Sequence, residues 1–121
     1  MIKLTVDEAF AFDFLSILEV KKTYGINVDN LITYHKDEIS SQIGEDNFTT
    51  IYNSVEYKNL FDYNKLTFDA VDKAKTDEVK ASYVDECNYQ RSISKKKLQE
   101  KYFNKKLTEV KYGYEKLKIN A

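Results

Sequence analysis

Proline is absent from this sequence and glycine occurs only three times. Both residues weaken helix interiors, proline by removing an amide and crowding the preceding turn, glycine by its conformational entropy. A chain that avoids them reads as helix by default. Cysteine and histidine occur once each, as Cys87 and His35, which excludes an internal disulfide and a zinc site built from soft ligands. Arg91 is the one arginine among 19 basic residues. No window offers the roughly 18 apolar residues needed to span a bilayer. Residues 1–6 lack the basic start, apolar run and small-residue cleavage site of a secretory signal, so the chain is expected to act in the cytoplasm.

What is present fits one globular domain over residues 1–121, with 42% hydrophobic and 32% charged residues. The formal net charge is -1 and the sequence pI about 5.9, far from the basic balance of a dedicated nucleic-acid domain. Abundant Lys, Asn, Ile and Tyr with one Arg is the usage of an AT-rich gene, which hints at a phage or an AT-rich bacterium.

Apolar spacing of three and four residues predicts five helices. The first spans about 6–24, opened by a capping box of Thr5 with Glu8 and closed by Gly25; Phe10, Phe14, Ile17 and Lys21 run along one side, flanked by Val6, Ala9, Leu18 and Tyr24. The second, about 28–43, is capped by Asn27, carries Leu31, Ile32, His35, Ile39 and Ile43, and stops at Gly44. A short helix at about 47–53 and a long one at about 54–75, capped by Ser54, follow. The last, about 82–104, starts at Ser82 with Asp85 as its capping partner, and Val84, Cys87, Arg91, Leu98 and Tyr102 mark its inner side. Ile2, Leu4 and Val6 alternate with polar residues, as Val110, Tyr112 and Tyr114 do near the other end. The expected fold is a mainly α helical bundle of four to five helices, with at most a minor β element formed by the N- and C-terminal segments.

Asp69 with Asp72, and Asp85 with Asn88, each share a helix face, and two such pairs on facing helices could hold Mg²⁺ through oxygen ligands. The spacing resembles that of the all-α nucleotide pyrophosphohydrolases of the MazG type, whose motif is Glu-x-x-Glu followed after a gap by Glu-x-x-Asp. That resemblance implies a metal-dependent nucleotide hydrolase. It covers about 20 residues, with Asp in place of Glu at 69, 72 and 85 and Asn in place of Asp at 88. Shorter and partly neutral ligands weaken a metal cage, and a solvated acidic face is the preferred reading.

Asn88, Arg91 and Lys95 form a polar stripe on the last helix that interrupts its apolar side. Arg91 lies between Cys87 and Leu98 and is expected to have a carboxylate partner, as a core brace within the chain or an interface anchor between subunits. Lys95, Lys96, Lys97, Lys101, Lys105 and Lys106, interleaved with Tyr102 and Phe103, are the one basic concentration and offer a weak nucleic-acid reading. His35 and Cys87 read as core-edge and buried groups. No nucleophile elbow or phosphate-cradling glycine loop exists, and no small-molecule or cofactor motif is found. Ten Tyr and seven Phe favour surfaces that are apolar and wet at once, as at interfaces. The expected function is a non-enzymatic helical interaction or self-associating protein.

Overall fold

The computed structural model describes residues 2–107. Five helices follow one another: α1 (Glu8–Thr23), α2 (Asp29–Ile43), α3 (Glu45–Tyr52), α4 (Val55–Lys75) and α5 (Ala81–Phe103). The fold is a mainly α bundle, and no strand occurs among the described residues. Residues 2–6 are exposed and take no regular secondary structure, and the segment expected to pair with them, Val110 to Tyr114, lies outside the described residues.

Helix α1 is the centre of the bundle, packed against α2, α4 and α5, while α4 and α5 form the most extensive pair. Ala9, Phe12, Leu15 and Leu18 of α1 meet Ile32, Phe48, Ile51, Tyr57, Leu60 and Leu98 in one core. Phe12 joins the helices through its ring, 5.9 Å from Phe48 and 6.1 Å from Tyr57 between centroids. The Phe10, Phe14, Ile17, Lys21 line, expected from its regular spacing to face inward, instead points outward: Phe10 and Phe14 are exposed and Ile17 and Lys21 only half-buried. A helix covered on three sides buries residues all round its axis, so its regular stripe marks the one side left open.

Two starts differ from expectation. Thr5 and Glu8 do not cap α1; Asp7 occupies the cap position, and its side chain does not cap the helix. The Ala9 amide donates instead to Gln99 Oε1 at 2.7 Å, and Gln99 Nε2 donates to Glu8 Oε1 at 3.0 Å. A tertiary partner thus takes the place of the local one. Ser82 and Asp85 do not cap α5 either: the helix begins at Ala81 after an uncapped Lys80. The preceding turn fixes that entry, for Glu78 donates to Lys73 at 2.9 Å and Asp77 to Ala74 at 3.2 Å across a left-handed Asp77 at φ 59. Ser54 caps α4 as expected, accepting from the Tyr57 amide at 3.1 Å. Asn27 accepts weakly from Asp29 at 3.4 Å. Gly25, at φ 82, ends α1 with the same double bond pattern, Ile26 to Lys21 and Gly25 to Lys22.

Candidate functional site

Arg91 finds its carboxylate inside the chain. Its Nη2 donates to Asp13 Oδ2 at 2.8 Å, and the Asp13 side chain is 5% exposed against 27% for Arg91. Asn64 Nδ2 donates to Asp13 Oδ1 at 2.9 Å and also to the Ser16 hydroxyl, which in turn donates to the Asp13 carbonyl at 2.8 Å. These groups tie α1, α4 and α5 together, and no buried side-chain nitrogen or oxygen among the described residues lacks a partner. Such closure is the signature of a brace, since a ligand site keeps at least one polar group turned towards its ligand.

Lys95, one turn on, is 3% exposed, with its ammonium 5.6 Å from the Phe10 ring centre. Asn88 is half-buried one turn before Arg91. The stripe Asn88, Arg91, Lys95 therefore faces the bundle rather than solvent. Sequence reading missed Gln99, fully buried at the start of α1; a glutamine between Leu98 and Glu100 carries no signal that its amide caps a helix 90 residues away.

The four residues of the acidic pattern do not form a cage. Asp69 accepts a hydrogen bond from the Tyr24 hydroxyl, Asp72 lies 3.6 Å from Lys75, Asp85 is exposed and Asn88 half-buried. Among the described residues, no group of three or more His, Cys, Asp or Glu side chains is placed to hold a metal ion. The lysines of α5 and of the residues just after it also part company. Lys101 pairs with Glu56 at 3.1 Å and Lys105 with Glu8 at 3.0 Å, while Lys96, Lys97 and Lys106 stand exposed. Cys87 is a buried free thiol.

Two surfaces remain besides an open groove of about 640 Å³ between α4 and α5, lined by Glu56, Tyr63, Gln90 and Lys97 among others. The first is the outward line of α1 with the adjoining face of α2. Phe14, 42% exposed, meets His35 edge-on at 4.9 Å, and His35 meets Tyr34 at 5.2 Å. Tyr34 is 45% and Leu31 49% exposed, so with Phe10 an apolar and aromatic seam runs along the α1–α2 hairpin. The second is an open groove of about 800 Å³ on the opposite side, between the end of α1, the middle of α2 and the α3–α4 corner. Its floor holds Glu19, whose two carboxylate oxygens accept separately from the Tyr52 and Tyr57 hydroxyls. Burial, and then the Glu19 carboxylate, push both phenols well above their ordinary value. Lys22, Lys36 and Lys58 stand around the groove.

No described helix is long and apolar enough to cross a membrane. Set against known proteins, the chain matches no family model, no curated protein and no solved structure.

Proposed function

We propose that this chain is a non-enzymatic, cytoplasmic helical protein that self-associates through the α1–α2 seam. One observation carries the reading: the most regular apolar stripe of the central helix, Phe10, Phe14 and Ile17, faces away from the core. Exposed aromatic residues that are contiguous, rather than scattered, mark contact surfaces. Tyr34 and His35 add the polar tips common at interfaces. A reduced, buried Cys87 suits a reducing compartment.

Charge argues for a second copy as the occupant. The contacts Phe14 to His35 and Lys22 to Asp29 set α1 and α2 antiparallel, so Lys21 stands at one end of the seam and Glu38 nearer the other. A two-fold axis through the middle of the seam brings each copy's Lys21 towards its counterpart's Glu38, which is the self-complementarity a symmetric pair requires. Sedimentation velocity over a range of concentrations tests this. The expected profile moves from monomer to dimer as concentration rises, and Phe14→Ser keeps the helical circular dichroism while remaining monomeric. Lys21→Glu weakens the dimer, and adding Glu38→Lys restores it. A monomer at every concentration overturns the reading.

A further inference from the structure

The groove beside Glu19 is separate from the seam and carries its own chemistry. Its apolar base is made of Ile32, Phe61 and the rings of Tyr52 and Tyr57. Phe48 stacks on Tyr52 at 5.4 Å and 16°, the Tyr57 ring lies tilted beside it at 5.0 Å, and the Lys36 ammonium stands over the Tyr52 ring 4.3 Å from its centre. Among the described residues, no carboxylate lies within ion-pair distance of Lys36, and no cation within that distance of Glu19. Lys22 and Lys58 are paired with Asp29 at 2.9 Å and Asp62 at 2.7 Å, but all four of those side chains are exposed. Ion pairs of that kind contribute little and exchange readily for a better anion.

Three ammonium groups, two of them shared with the exposed Asp29 and Asp62, thus stand with Glu19 around an aromatic floor. A purely cationic ligand would be repelled by the rim, and a purely apolar one would leave Glu19 against hydrocarbon. We propose that the groove binds a flat aromatic anion of the nucleoside-phosphate class. The base stacks on the Tyr52 face now covered by the half-buried Lys36, and the ammonium that it displaces gains a phosphate in exchange. The displaced Lys36 reaches the phosphate together with Lys58 and Lys22 as point charges. Glu19, already oriented by two phenols, accepts from a ribose hydroxyl or an exocyclic amine.

Isothermal titration of the full chain at low salt with ADP, adenosine and inorganic pyrophosphate tests this, with circular dichroism confirming that each variant is folded. ADP is expected to bind about tenfold more tightly than either fragment, because base and phosphate sites act together. Lys36→Ala has a distinctive signature. It removes a phosphate contact but also uncovers the ring, so the preference for ADP over adenosine falls about fivefold or more, from both directions. Lys58→Ala weakens ADP about threefold and leaves adenosine unchanged. Pyrophosphate binding as tightly as ADP overturns the proposal, as does an ADP preference that survives Lys36→Ala. Absence of ADP binding at about 5 mM, where even a millimolar site would show, overturns it too.

Discussion

At the scale of single residues, Asp13 and Arg91 are unequal partners. Removing the guanidinium leaves a buried carboxylate facing Asn64 alone, whereas removing the carboxylate's charge leaves an Arg91 that can turn towards water. Arg91→Ala is therefore expected to lower stability by about 3 kcal/mol, the lower end for breaking a buried pair. Asp13→Asn, which keeps a polar group in place, should cost roughly 1 kcal/mol. Urea denaturation measures both, and sedimentation should show no change of oligomeric state in either, since the pair is internal. The tyrosines give a pH prediction. A hydrogen bond to Asp69, with burial behind it, pushes Tyr24 up to about 12, and burial with Glu19 pushes Tyr52 and Tyr57 up as well. In the unfolded chain these phenols release their protons near pH 10 while the native ones hold them. Their contribution is whole below that pH and drains away as pH rises above it. Stability measured between pH 8 and 11 should thus fall on the alkaline side, and Tyr57→Phe, though costing about 1 kcal/mol at neutral pH, should flatten the fall.

At the scale of elements, the ends of the helices show what the sequence could and could not say. Ser54 and Gly25 were legible because their work is local: a hydroxyl reaching an amide three residues on, a left-handed residue after the last turn. Thr5 and Ser82 carried the same local signal and lost to distant geometry, one to Gln99 and the other to the Asp77 turn. Asp77 sits left-handed at φ 59, a conformation that costs most residues but not glycine. Asp77→Gly is expected to raise stability by about 0.5 kcal/mol, the strain relieved slightly exceeding the freedom added to the unfolded chain. Gly44 is the reverse case. It joins α2 to α3 at φ 94 and ψ 146, a region side chains avoid, so Gly44→Ala should lower stability to urea by about 1–3 kcal/mol although no atom crowds the added methyl within 3.4 Å. Gln99→Ala removes the substitute cap of α1, at a cost of about 1–2 kcal/mol. Hydrogen exchange at the Ala9 amide, faster in that variant while the α4 amides stay protected, would locate the loss.

At the scale of the whole molecule, periodicity revealed the bundle but not its centre. The stripe on α1 was real; its direction was set by which neighbours pack around the helix, and only the assembled fold decides that. The Arg91 brace was half legible, since a lone arginine among apolar neighbours announces a carboxylate partner without naming Asp13. The groove was illegible because Glu19, Lys36 and Tyr52 belong to three helices and form no spacing along the chain. The same long-range tie has a bearing on how the protein comes into being. Asp13 and Ala9 depend on Arg91 and Gln99, made 78 and 90 residues later. At about 5–20 residues per second, the ribosome delivers the guanidinium roughly 4–16 s after the aspartate. During that interval the nascent first helix has neither its brace nor its cap, and its apolar faces are open to whatever is nearby. The cap and the brace of α1 can accordingly close only after residues 91 and 99 have been made, near the end of the synthesis of the described residues.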